Sequence, residues 1–371
     1  MIRSGGAGSG GIASEIIGPN RVQNGDMLIS QRFEAGSHTV ATADNKAVLD
    51  RWIWQFVTST SSAADPAVKQ QAASSGITGF TKSMLWTNSG TPSTTTPAAL
   101  QLTARQAIEA PDVQDLALGT ASASIITVSL WLKCSVANAS IGVALTNAAL
   151  NRSYPHICAL TTAATWTYFQ FSLTGDITGT WASTIGTVGI NLRIALAGGA
   201  TFQGTADTWQ AGNLWTTSAQ TQLTDTASST LEITGVKLEK GAVATAFVPD
   251  PTEIAFSKAQ RYYRKSFPTG TAPAQSAGVA GALVVNNPIA LGQPGLYVAF
   301  DPPMYASPTI VTYNPSAGNA NWRDVTAAGD IVVSVDPATA LSTTGVNIAT
   351  GGTVTNIADT LAIHYSADAG I

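Results

Sequence analysis

The sequence predicts an all-β protein made of two successive sandwiches, and three observations carry that expectation. Short runs of β-branched and aromatic residues with period-2 alternation recur from Asn20 to the end of the chain. Gly, Pro, Asn and Ser punctuate these runs at close intervals, and only two short stretches read as helix. The 371 residues suffice for two or three domains with sizeable cores. Many short strands with few helices mean a sandwich or a jelly roll.

Residues 1–19, "MIRSGGAGSGGIASEIIGP", form a Gly- and Ser-rich arm that is flexible unless a partner orders it. The arm lacks the apolar core of a secretory signal, so the chain is expected to be made in a cytoplasm and not exported by a signal of its own. Its Gly6, Gly8 and Gly11 have G-x-G-x-x-G spacing, but no strand precedes them and no helix clearly follows, which speaks against a phosphate loop. Residues 20–249 carry the first set of strands, including "RWIWQFVTS" (51–59), "SMLWTNS" (83–89), "SIITVSLWLKCSV" (124–136), "SIGVALTN" (140–147), "VGINLRIAL" (188–196) and "LEITGVKLE" (231–239). In "WTYFQFSL" (166–173), alternation sets Trp166, Tyr168, Gln170 and Ser172 on one face. Thr167, Phe169, Phe171 and Leu173 occupy the other, which is the expected core face. Trp52, Trp54, Trp131 and Trp166 lie inside strand runs and are expected to be mostly core or packing residues.

One helix is expected near "ADNKAVLD" (43–50). A second is expected at residues 250–267, with Asp250 or Thr252 as cap, Pro251 at the first helical position, and Arg261, Arg264 and Lys265 near the cation-favouring end. This second stretch is the most charged in the chain. Two readings of it stand: an ordinary solvated surface helix, or a wedge in which Tyr262, Tyr263 and the cations bind domains or subunits together. Residues 268–371 then bring a second, smaller sandwich with strands such as "GALVVNN" (281–287), "PTIVTYNP" (308–315), "DIVVSVDP" (330–337) and "TLAIHYSA" (360–367).

Composition narrows the function classes. Only 11% of residues are charged, against ~25% in an ordinary soluble domain, so Ser, Thr, Asn and Gln must cover much of the surface. A net charge of −4 without clustered cations outside 250–267 argues against nucleic acid, and no run approaches the ~18 apolar residues of a membrane span. Cys134 and Cys158 read as buried hydrophobes and not as a disulfide. His38, His156 and His364 sit in separate segments without metal-ligand spacing, so neither a metal nor a cofactor is expected. There is no G-x-S-x-G elbow. Glu109, Asp112 and Asp115 in "EAPDVQD", with Asp176, Asp207 and Asp225 scattered among turns, leave a glycosidase-type carboxylate pair open, though turn-capping suits the first three better.

"LEITGVKLEKGAVATAFVPDPTEIAFSKAQRYYRKSF" (231–267) resembles a segment of bacteriophage virion proteins, especially tail fibres: a "VQLE-x-G-x-x-AT-x-F" strand and turn, then a helix ending in "QRYY". "NRVQNGDMLISQR" (20–32), "LDRWIWQF" (49–56), "RQAIEAPDVQDLALGTASASIITVSLWLKCS" (105–135), "TWTYFQFSLTGDITGTW" (165–181) and "FQGTADTWQAGN" (202–213) fit the same family in the same order. "VKLEKG" replaces the family's usual "VQLEEG". The resemblance implies a carbohydrate-binding-module-like jelly roll over 20–249, followed by a receptor-binding β-sandwich. It further implies a homotrimeric appendage on the phage particle that meets another virion protein of tail, portal or capsid. Within the arm, Ile2, Arg3, Ile12, Ile16 and Ile17 would then form the virion-docking strand.

Aromatic residues flanked by amides are the sequence's best clue to glycan binding, because sugar C–H faces lie on aromatic rings while amides satisfy hydroxyls. Trp209 and Trp215 in "ADTWQAGNLW" are candidates, as are Tyr313, Asn319, Asn321, Trp322 and Arg323 in "TYNPSAGNANWRD", with Trp322 expected to be exposed. The expected function is a non-enzymatic tail fibre that adheres to host surface polysaccharide. A capsid-attached head fibre or decoration protein and a glycan-cleaving tail enzyme are the alternatives.

Overall fold

Alternation along the strands resolves into pairs of facing sheets. The computed structural model describes residues 18–41, 45–57, 67–74, 76–90, 92, 96–335 and 341–370. The docking residues Ile2, Arg3, Ile12, Ile16 and Ile17 lie outside the described residues. Thirteen strands among the described residues build the first sandwich: β1 (His38–Thr39), β2 (Asn45–Leu49), β3 (Trp52–Val57), β4 (Ala67–Ala72), β5 (Lys82–Thr87), β6 (Gln101–Glu109), β7 (Ile126–Cys134), β8 (Ser140–Asn147), β9 (Arg152–Ala159), β10 (Thr167–Leu173), β11 (Val188–Gly198), β12 (Gln210–Ala211) and β13 (Thr230–Lys240). They form a six-stranded sheet, β1-β4-β5-β13-β7-β10, and a seven-stranded sheet, β12-β9-β8-β11-β6-β3-β2. The late strands β13 and β11 insert between earlier ones, giving the interleaved topology of a jelly roll.

The inward faces are largely apolar, with Gln70 and Gln106 as buried polar exceptions. Ile126, Val128, Leu130, Leu132 and Cys134 of β7 face Ile190, Leu192 and Ile194 of β11 in one core with Trp52, Trp54, Phe56 and Trp86. Each such side chain contributes roughly 1.5–3 kcal/mol on burial. Cys134 and Cys158 are free and buried as expected, and burial pushes the Cys158 thiol up to about 12. A one-turn helix, α1 (Ala110–Val113), follows β6.

The expected helix over 43–50 is corrected to strand. Asn45–Leu49 pairs with Trp52–Gln55, the chain reverses at Asp50 and Arg51, and Arg51 takes φ +73 in the turn. Val48 and Leu49 enter the core there, so tertiary pairing overrides the helix propensity of Ala, Lys and Leu.

The second helix exists but is shorter than 250–267. α2 spans Thr252–Gln260, with Pro251 just outside it and no side-chain cap from Asp250 or Thr252; Arg261 closes it. Asp250 instead pairs with Lys258 at 2.7 Å. Arg264 and Lys265 lie in β14 (Tyr263–Lys265), which pairs with the last strand. The final sandwich therefore takes in residues before 268.

That sandwich also contains β15 (Leu283–Asn286), β16 (Gly295–Ala299), β17 (Thr309–Tyr313), β18 (Trp322–Asp324), β19 (Asp330–Ile331), β20 (Val333–Val335), β21 (Gly345–Thr350) and β22 (Thr360–Asp368). β22 is its organiser, pairing with β14 and β17 near its end and with β15 and β18 near its start. The β16-β21-β20 sheet packs against it over Trp322, Val346, Ile348, Leu361 and Ile363.

The charged stretch turns out to be the wedge. Arg261 grips buried Glu109, at the end of β6, through Nε to Oε1 at 2.6 Å and Nη2 to Oε2 at 2.8 Å, and the Tyr262 hydroxyl donates to the same carboxylate. The Arg51 guanidinium lies 3.5 Å over the Tyr262 ring. Beside it, Arg32 binds Asp368 of β22 at 2.9 Å and covers the Tyr263 ring, Gln31 donates to the Tyr263 carbonyl at 3.2 Å, and Lys265 pairs with Glu34. Burial raises the Glu109 pKa, but the hydrogen bonds from Arg261 and Tyr262 outweigh it and hold the carboxyl below its ordinary value.

Replacing Arg261 with Ala leaves that carboxylate without its fork, and is expected to cost about 3 kcal/mol of stability by denaturant titration. A depressed carboxylate pKa contributes stability above the ordinary range, near ~4.3, which is lost as pH falls through the folded value. The gap between parent and Arg261→Ala should therefore narrow below about pH 4; a gap that holds constant into acid contradicts the assignment.

Candidate functional site

The solvent face of the six-stranded sheet carries what the core face cannot. Alternation on β7 turns Ser129, Trp131 and Lys133 outward, and on β10 it turns Tyr168 and Gln170 the same way. The register sets Tyr168 opposite Trp131 and Gln170 opposite Ser129, with the two rings 5.2 Å apart. Tyr168 is 41% exposed, well above a packing residue.

The opposite wall depends on a bulge. Pairing of β13 with β7 slips between Thr234 and Lys237, and Gly235 takes φ +62 in the slip. A Cβ at Gly235 would lie 2.6 Å from Phe80 and 2.9 Å from Trp131, so only glycine lets both rings come this close. The bulge is followed by a buried ion pair, Lys237 with Glu239 at 3.1 Å, and both side chains bind Thr245. That anchor folds the segment after β13 back across the sheet and brings Phe247 edge-on to Phe80 at 5.2 Å. The result is a groove of about 380 Å³ walled by Phe80, Phe247, Trp131 and Tyr168, with Ser129 and Gln170 between. Its lining is aromatic rings, hydroxyls, amides and backbone. Such a surface stacks on apolar ring faces and bonds to hydroxyl groups.

Four of the six acidic residues flagged in the sequence are paired elsewhere. Glu109 belongs to the junction, Asp176 is held by Arg152 at 2.6 and 2.8 Å, Asp207 meets His156 at 2.6 Å, and Asp115 meets Arg21 at 2.9 Å. Burial first, then the Glu109 charge, raises the Asp112 pKa. His364 is a satisfied buried residue bonded to Ser266 and to the Gly278 carbonyl. Among the described residues, no group of three His, Cys, Asp or Glu could hold a metal ion.

The candidates from sequence are scattered. Trp215 is fully buried, stacked on Phe202 at 5.0 Å over Ala144 and Ala195, and cannot meet a ligand. Trp209 is half-buried, donates to the Thr174 carbonyl at 2.8 Å and packs between Tyr154 and Trp181. The expected exposure of Trp322 is corrected: it is 0% exposed and donates to the Ala349 carbonyl at 3.0 Å, because β18 carries it into the second core whatever its polar neighbours. Asn319 and Arg323 both bind Asp330, at 2.8 and 3.2 Å, and the Asn321 amide donates to Asn319, so this turn spends its polar groups on itself. Tyr313 lies apart, bonded to Ser366 at 3.1 Å. The groove residues Phe80, Trp131, Phe247 and Tyr168 are absent from that set. Alternation in "WTYFQFSL" already turned Tyr168 away from the core; Trp131, expected as a core or packing residue, is instead half-buried and lines the groove, and the wall opposite had no local signal.

No family model matches the chain, and no curated protein matches it. Solved structures do. A Bacteroides thetaiotaomicron protein provisionally described as sugar binding matches at 12% identity and TM-score 0.33, over 60% of this chain and 100% of its own. The enzymatically active domain of bacteriophage CBA120 tailspike protein 4 matches at 9% identity and TM-score 0.31, over 60% of this chain and 21% of its own. TmCBM61 in complex with β-1,4-galactotriose matches at 11% identity and TM-score 0.28, over 60% of this chain and 99% of its own.

Gly235→Ala is expected to cost about 1–2 kcal/mol from the left-handed backbone alone and to push Phe80 and Trp131 apart, read as a changed tryptophan emission. Unchanged emission and unchanged stability would mean the bulge does not shape the groove.

Proposed function

We propose that the protein binds host surface glycan through the groove on its six-stranded sheet and serves as a homotrimeric phage tail fibre that adheres without cleaving. The observation that carries the binding reading is the pair of half-buried Trp131 and exposed Tyr168, which lines a groove with Phe80 and Phe247 among hydroxyls and amides. Aromatic side chains suit the apolar faces of a pyranose, and Gln170 and Ser129 supply donors and acceptors for its hydroxyls. The virion reading is supported by the ordered sequence blocks from 20 to 267 that resemble tail fibres. Recognition thereby moves from the last sandwich, where the sequence suggested it, to the first.

Trp131→Ala and Tyr168→Ala are expected to weaken binding to purified host polysaccharide by about tenfold or more while leaving the denaturation midpoint near that of the parent. Light scattering on the full chain should give a three-chain mass, and incubation with polysaccharide should release no new reducing ends. Full binding by both variants sinks the groove assignment; a single-chain mass sinks the fibre; new reducing ends make it an enzyme.

A further inference from the structure

The slip in β13 frees backbone groups, and their partners come from the start of the described chain. β5 pairs with β13 only as far as Ile233, so beyond the slip that flank of β13 has no further strand partner among the described residues. Residues 18–25 run along the flank instead. The Val236 N–H donates to the Gly25 carbonyl at 2.9 Å, and the Arg21 N–H donates to the Leu238 carbonyl at 2.9 Å. Asn20 supplies the rest. Its Nδ2 donates to the Val236 carbonyl at 3.0 Å, while its Oδ1 accepts from the Leu238 N–H at 3.1 Å and from the Val22 N–H at 2.9 Å. Only glycine fits at position 25, because a Cβ there would collide with the Val236 carbonyl.

One amide thus grips β13 on both sides of Lys237. From that position the Lys237 Nζ donates to the Thr245 hydroxyl, to the Thr245 carbonyl at 3.3 Å and to the Ala246 carbonyl at 3.0 Å. Thr245, Ala246 and the next residue, Phe247, all line the groove. The Gly18 N–H reaches the same Thr245 hydroxyl at 3.3 Å. A Cβ on Gly18 would lie 2.6 Å from Glu239 Oε2, so the segment also packs on the ion pair that holds this turn. Phe247 is shared between the groove and a second cleft of about 350 Å³, which Gly18, Asn20, Gly25 and Lys237 line.

We propose that Asn20 is a positioning residue for the glycan groove: by fixing Val236 and Leu238 it aims Lys237 at the 245–247 turn and sets where the Phe247 wall stands. An amide suits the task because one end donates to a carbonyl while the other accepts from an N–H. Removing it leaves the Val236 carbonyl and the Leu238 N–H without these partners, and the backbone on either side of Lys237 is no longer held. Asn20 is absent from the groove lining and acts only through the turn. The proposal rests on the groove reading and deepens it by naming what holds one wall in place.

The test compares Asn20→Ala with Asn88→Ala in the full chain. Asn88 is a matched control: it is buried, donates to the Thr224 and Thr226 carbonyls, accepts from the Gly90 N–H, and lies by the opposite end of β13, where its own N–H donates to the Ser229 carbonyl. Two quantities are read, affinity for purified host polysaccharide and hydroxyl-radical labelling of Phe247 in the free protein. Asn20→Ala is expected to weaken binding about tenfold and to change Phe247 labelling. Asn88→Ala is expected to lower the denaturation midpoint comparably, to keep affinity within about twofold, and to leave Phe247 labelling at the parent value. Gly18→Ala presses on Glu239 without altering Asn20, so it should reproduce the Phe247 change, and it carries the test if Asn20→Ala does not fold. Parent labelling and parent affinity in these two variants, or equal losses in Asn88→Ala, overturn the proposal. Trp131→Ala separates that failure from failure of the groove reading: it loses binding if the groove holds the glycan and keeps it if the glycan binds elsewhere.

Discussion

The buried carboxylate of Glu109 holds the molecule together. It ends β6 of the first sandwich, and its partners Arg261 and Tyr262 begin the passage into the second. Separating the two sides is costly: an unpaired carboxylate at this depth is expensive, and Tyr262 would expose a large ring. Around this contact Arg32, Gln31 and Lys265 add bonds that run from the first sandwich to β14 and β22. The low charge of the rest of the chain makes the concentration at 250–267 intelligible. Charge is spent where two apolar cores must be joined in one fixed geometry.

That joint shapes the cleft between the sandwiches. It sets β17 and β22 of the second sandwich beside β2 and β3, which creates a cleft lined by Asn45, Ile53, Tyr263 and Tyr313. It lies away from the groove on the six-stranded sheet, where Tyr168 is exposed and Trp131 half-buried. The groove itself depends on one backbone event, the slip at Gly235, because without a left-handed residue there the rings of Phe80 and Trp131 could not approach.

Much of the architecture was legible from alternation. The period-2 pattern of "WTYFQFSL" separated Phe169, Phe171 and Leu173 from Tyr168 and Gln170, as the structure has it. The two-sandwich division, the junction helix and the buried cysteines were legible for the same reason: each is written in local pattern. What could not be read were outcomes of long-range pairing. Residues 45–49 look helical alone and become a strand only because Trp52–Gln55 pairs with them. Trp322 sits among polar residues, yet β18 joins β22 and turns it into the core. Arg105 and Arg193 lie 88 positions apart (193 − 105), and only the β6–β11 register makes them neighbours. Of the site, the sequence supplied the chemistry of aromatics beside amides but not the face on which they gather.

The most direct test of the account is hydroxyl-radical footprinting of the full chain with and without host polysaccharide. Bound glycan is expected to shield Trp131, Tyr168 and Phe247 while the 313–323 turn reacts as before. Protection confined to that turn, with the groove as reactive as in the free protein, would contradict it.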